Sequence, residues 1–157
     1  LETMEVAHAF GYYYYSNKIK PTKGEATNAG APLELLFTFN VENPNDYPVK
    51  LEKIAFTIGF EGFDLNTVKS VAGQWIPPGK TNQIAVPAHF DTRQSLLSLL
   101  VTGGFKLKEK GWNAWSAMER WWTGIPNYEI PVEVKEGSAM FKADGLVKVT
   151  TFSATFP

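Results

Sequence analysis

Residues 33–60 restrict this chain more than any other stretch. Leu33, Leu35, Phe37, Phe39 and Val41 alternate with Glu34, Thr38, Asn40 and Glu42, the two-residue period of a half-buried strand, and only Leu36 breaks it. Asn43-Pro44-Asn45-Asp46-Tyr47-Pro48 then interrupts. Its prolines fix φ, and its Asn and Asp side chains can bond the local backbone, so neither flanking strand continues through it. Val49 and Leu51 restart the alternation, but Ile54, Phe56, Ile58 and Phe60 carry it on with the opposite parity. One extra residue near Glu52-Lys53, a β-bulge, keeps both sets facing one core.

The flanking segments add further strands. Residues 4–15 are β-prone, and Tyr12, Tyr13, Tyr14 and Tyr15 alternate between two faces, either as an aromatic binding strip or as an edge strand covering its neighbours. Residues 17–32 read as a polar loop or tether; Lys18, Lys20 and Lys23 there either meet an anionic surface or are simply solvated. Glu61-Gly62 is a tight turn, residues 63–71 a weaker strand, and Ile76-Pro77-Pro78-Gly79 a Pro-then-Gly turn. Ile84, Val86, Ala88 and Phe90 face inward from the next strand, with Gln83, Ala85, Pro87 and His89 outward. Pro87 has no N–H for a ladder, so this strand lies at a sheet edge or carries a bulge. Asp91 with Gln94 opens a leucine-rich helix through Leu96, Leu97, Leu99, Leu100 and Val101, predicted to stop at Gly103-Gly104 and to belong to the core.

These residues carry a family resemblance. An alternating strand ending in Val41-Glu42-Asn43-Pro44-Asn45, then Tyr47-Pro48-Val49 and a second strand, resembles the late embryogenesis abundant type 2 domain, also called the water stress and hypersensitive response (WHy) domain. The similarity continues through the Pro77-Pro78-Gly79 turn, the strand at 83–90 and the helix after Asp91, over residues 34–156 in all. It implies an immunoglobulin or fibronectin type III-like sandwich and a broad role in dehydration stress, without catalytic chemistry. The family motif would be Asn43, Pro44 and Asn45, shaping a turn.

Residues 112–122 are the main departure. On a helix Trp115, Met118 and Trp122 share one stripe, Ala114, Ala117 and Trp121 the adjoining one, and Glu119 and Arg120 the far side. Each Trp brings about 200 Å² of mostly apolar surface, roughly 5 kcal/mol if removed from water. Either this helix packs on the sandwich, or it lies at a lipid interface or in a partner's groove. Trp112, Trp115, Trp121 and Trp122, with the lead-in Lys106, Lys108 and Lys110, are therefore a candidate interaction surface. Gly124-Ile125-Pro126 ends the helix; Tyr128, Ile130, Val132 and Val134 begin a strand, Gly137-Ser138 makes a turn, and residues 139–143 form a short strand. Asp144-Gly145 closes a hairpin into a last strand over 146–156.

The sum is an all-β, antiparallel sandwich of about seven strands with one or two short helices. At 157 residues one domain is expected: an N-terminal strand and loop over 1–32, and a main unit over 33–157 with a helical insertion at about 92–123. Hydrophobic content of 44% and aromatic content of 14% indicate a folded chain rather than a disordered one. A net charge of −1 argues against a nucleic-acid partner. Without cysteine there is no disulfide and no thiolate metal site. His8 and His89 sit on different predicted strands and read as surface or half-buried side chains; Glu61, Asp64 and Asn66 lack the spacing of a calcium loop. No nucleophile elbow, phosphate loop or dinucleotide fingerprint occurs, so no catalytic residue, cofactor or metal is expected. The chain does not start with Met and reads as processed or trimmed, which is compatible with a removed export signal or lipid anchor; the cell envelope is slightly favoured over the cytoplasm. Membrane surfaces and client proteins are the partner classes in view. The function so read is a non-enzymatic protective or binding domain of the desiccation-response kind. The alternative is an envelope-associated lipid- or protein-binding module using the helix at 112–122.

Overall fold

The fold comes from a computed structural model that describes residues 1–9 and 33–157. Its strands are β1 (Thr3–Ala9), β2 (Leu33–Glu42), β3 (Val49–Phe60), β4 (Phe63–Ile76), β5 (Thr81–Phe90), β6 (Val132–Ala143) and β7 (Leu146–Phe156). Between β5 and β6 come helices α1 (Thr92–Thr102), α2 (Gly104–Lys110) and α3 (Ala114–Gly124), then a 3-10 turn at Ile125–Asn127. The tyrosine run and Lys18, Lys20 and Lys23 lie outside the described residues.

The strands form two antiparallel sheets, ordered β1-β2-β5 and β4-β3-β6-β7. Leu33, Leu35, Phe37 and Phe39 of β2 and Ile84, Val86, Ala88 and Phe90 of β5 are buried. From the other sheet Leu51, Ile54, Phe56, Ile58, Val132 and Val134 close the core. This is the β-sandwich that the alternation predicts. The fourth strand stays beside β3, whereas a constant-type immunoglobulin domain places it in the sheet of the first two strands. Among the described residues β5 pairs with β2 alone, so Pro87 sits on an edge strand, opposite Leu36.

The parity change in β3 is a bulge where the sequence puts it. The register against both β4 and β6 shifts between Leu51 and Lys53, and Leu51 and Ile54 are both buried as a result.

Four local expectations are corrected. Gly137-Ser138 is no turn: β6 runs straight through it, with Glu136 at φ 49° in a bulge opposite β7. Phe152 approaches Gly137 so closely that a Cβ there would stand 2.5 Å from its ring. The strand predicted from Tyr128 starts only at Val132, because Tyr128 is left-handed at φ 58° and the Tyr128 and Glu129 N–H groups cap the preceding turn and helix. Gly103 ends the leucine-rich helix as the sequence predicts, but a further helix follows it. Gly103 stays right-handed, donates to the Leu99 carbonyl at 2.9 Å and accepts from the Leu107 N–H at 3.0 Å, so α2 follows α1 at once. That makes three short helices among the described residues rather than one or two. Finally, β4 continues beyond residue 71 to Ile76, absorbing Gly73, at φ 55°, into the strand.

Candidate functional site

Asn43 is 2% exposed although it is polar and sits in a loop. Its Nδ2 donates to the carbonyls of Tyr47 at 2.8 Å and Ile76 at 3.0 Å, with Pro77 O at 3.4 Å. Its Oδ1 accepts from the Asn45 N–H at 3.1 Å and from Asn45 Nδ2 at 2.9 Å. Two donors and two lone pairs are all that an amide has, so this side chain has no capacity left for a ligand. The backbone adds Asn43 N–H to Lys80 O at 2.9 Å and Gly79 N–H to Asn45 O at 3.2 Å. The motif therefore stitches the β2–β3 connector to the β4–β5 turn, the two places where the chain passes from one sheet to the other at this end. Pro44 and Asn45 are exposed. Beside them a cleft of about 300 Å³ runs to the β6–β7 hairpin, with Val49, Ile76, Phe141 and Leu146 among its apolar lining and Lys142 and Lys148 among its polar one.

The opposite end is closed by the helices. Trp121 and Trp122 are fully buried, with Ala114, Ala117 and Met118. Trp121 meets Phe60 at 5.6 Å and Phe63 at 5.3 Å between ring centroids, and Phe60 meets Phe90 at 5.4 Å. Trp112 precedes α3, half-buried, and stacks on Phe63. Asn113 and Ser116 bond each other's backbone N–H groups, a reciprocal cap that starts the helix two residues after Trp112. So Trp121 and Trp122 are corrected from candidate surface to core: burying them on the sandwich removes more apolar area from water than any exposed placement. The Trp115 side chain lies outside the described residues.

Glu61 fastens this helical cap to the β3–β4 turn. Its carboxylate accepts from Arg120 Nε at 2.9 Å, Arg120 Nη2 at 2.7 Å and Trp121 Nε1 at 2.9 Å. The Arg120 hydrogen bond, helped by that of Trp121 and by the charges of Arg120 and Lys110, holds the Glu61 pKa below its usual range against the opposing effect of burial. Arg120 and Lys110 also lie over the Trp112 ring, at 5.5 and 4.9 Å. Lys106 Nζ donates to Gly62 O at 2.6 Å, while Lys108 is exposed.

Glu61, Asp64 and Asn66 do not converge on a shared site. Glu61 is held by Arg120 and Trp121, Asp64 pairs with Lys135 at 2.9 Å, and Asn66 donates to His89 O. His89 Nδ1 lies 3.1 Å from Glu34, exposed; the His8 side chain is outside the described residues. Among the described residues no group of His, Asp and Glu is placed to hold a metal ion. No helix among them is long and apolar enough to cross a membrane.

The family model described as late embryogenesis abundant protein, type 2, matches residues 38–138, more than half of the chain. This chain belongs to the late embryogenesis abundant type 2 family. The match takes in the Asn43 stitch, both sheet crossings and all three helices. The family is in general non-enzymatic. No curated protein matches the chain. Among solved structures, an X-ray structure of a Northeast Structural Genomics Consortium target shares 8% identity at a TM-score of 0.51, covering 98% of this chain and 81% of its own. A crystal structure of a protein from Archaeoglobus fulgidus shares 15% identity at a TM-score of 0.49, covering 83% of this chain and 86% of its own. The first likeness extends the shared sandwich to nearly the whole late embryogenesis abundant chain.

Asn43, Pro44 and Asn45 were legible as a turn, but the reach of Asn43 to Ile76 was not. Glu61 was missed as the fastening of the helical cap. Its one signal was a carboxylate in a two-residue turn, with Arg120 on the polar side of a distant apolar helix.

Proposed function

We propose that this chain is a non-enzymatic protective domain, binding other macromolecules or surfaces and keeping them in their native state as water is lost. Membership of the late embryogenesis abundant type 2 family carries this reading. The fully used amide of Asn43 supports it, because the family motif serves the fold here and leaves the outer surface to meet clients. Drying and rehydrating a labile enzyme with this protein tests it. Activity recovered above that with an equal mass of serum albumin is the expected result; equal recovery removes the protective role.

A second reading is favoured by one observation. Lys106, Lys108 and Lys110 occupy a helix next to exposed apolar side chains at 100, 101 and 105. This suits an envelope-associated module that binds a lipid or protein surface through its helical insertion. Sedimentation with anionic vesicles tests the lipid form.

A further inference from the structure

Helices α1 and α2 meet at Gly103, whose N–H closes the first and whose carbonyl opens the second. Leu99, Gly103 and Leu107 are buried and recur every four residues, the inner row. Gly103 lies so close that a Cβ would be 3.2 Å from Phe63. On the exposed side of this joint, Val101, Phe105 and Lys108 form an outer row with Leu100 on its flank. Val101 is 81%, Phe105 80% and Leu100 60% exposed. Three large apolar side chains within six residues, unpartnered at a helix joint, are not the scattered surface hydrophobes of an ordinary domain. The charge beside them is positive: α2 holds Lys106, Lys108 and Lys110 against Glu109, a net +2 in a chain whose total is −1. The Lys106 bond goes to a carbonyl and leaves its charge uncompensated, and Lys108 is exposed, whereas Lys110 lies over the Trp112 ring and faces Glu61.

We propose that Val101 and Phe105, flanked by Leu100 and followed on α2 by Lys106 and Lys108, dock the domain on an anionic lipid surface. An apolar prong entering the headgroup layer with lysines beside it is the arrangement such surfaces bind, each element alone being too weak. The proposal rests on the second reading above but moves the contact from the buried tryptophans to the α1–α2 joint. The outer row descends to the acyl boundary, Lys108 stays at phosphate level, and the helix axis lies along the surface.

The absence of cysteine makes the test direct. Phe105→Cys and, on exposed β7, Thr150→Cys each take one polarity-sensitive dye. Vesicles of phosphatidylcholine alone are compared with vesicles of equal parts phosphatidylcholine and phosphatidylglycerol. The expected result is a blue shift at position 105 with the anionic vesicles only, and none at 150. Val101→Ser with Phe105→Ser should weaken sedimentation of the unlabelled protein by about tenfold with an unchanged circular dichroism spectrum. Binding with no shift at 105, or binding unaffected by the double substitution, overturns this docking face while leaving the lipid reading intact. No binding to either vesicle, with a native spectrum, removes both.

Discussion

Asn43 matters to this fold through what it prevents. Without it the Ile76 carbonyl is left buried with no donor and the partly buried Tyr47 carbonyl loses its own, so Asn43→Ala should cost about 2–3 kcal/mol. Asn43→Asp should cost more, since a carboxylate would face those same oxygens with no proton to offer. Asn45→Ala, at an exposed position, should cost about 1 kcal/mol. Melting curves of the three variants check the ranking, and equal midpoints would contradict it. Gly137→Ala drives a methyl into the Phe152 ring and backbone and should cost roughly 1–3 kcal/mol; Phe152→Leu in that background should recover part of it in urea titrations. At this scale the sequence is readable where chemistry is local. Asn-Pro-Asn announces a turn through its own side chains. Whether Gly137 turns the chain or admits a ring depends on Phe152, which is next to it only across the β6–β7 ladder.

The helical insertion is fastened by one carboxylate, and the fastening is pH-dependent. The folded pKa of Glu61 is depressed, so its contribution is present above the unfolded pKa and is lost as pH falls through the folded one. Glu61→Gln should therefore lower stability near neutrality by on the order of 1 kcal/mol, a figure kept small because Arg120 is half exposed. The gap to wild type should close in acid. Urea midpoints followed from neutral pH downward check this, and a constant gap would refute it. Trp122→Ala should cost about 3–5 kcal/mol, as for a deeply buried ring, whereas a membrane-lying helix would tolerate it in solution. Periodicity located this element and named its apolar stripes. It could not separate core from interface, because a helix buried on protein and one buried in lipid share the same spacing; Phe60, Phe63 and Phe90 decide the matter from other strands.

For the molecule as a whole, the aromatic cluster joins α3 to strands β3, β4 and β5, and we expect the cap and sandwich to unfold together. Calorimetry should give one transition whose measured enthalpy equals the van't Hoff value, and an early, separate loss of near-ultraviolet tryptophan signal would show the cap to be independent. Pro87 narrowed β5 to an edge or a bulged strand, of which the structure has the edge, and a count of about seven strands was legible because alternation marks strands. Their partners were not, since alternation gives a face and not a neighbour; that β4 stays with β3 follows from the tight Glu61-Gly62 hairpin, and that β5 crosses to β2 depends on the Pro77–Lys80 turn being held against Asn43. That last junction closes on itself: every donor and acceptor of the amide is satisfied by the chain's own atoms. As solvent is withdrawn the surrounding permittivity falls, and bonds of this kind grow stronger while those maintained by hydration are lost. The sheets should thus stay in register in a dried glass, ready to resume their solution form on wetting.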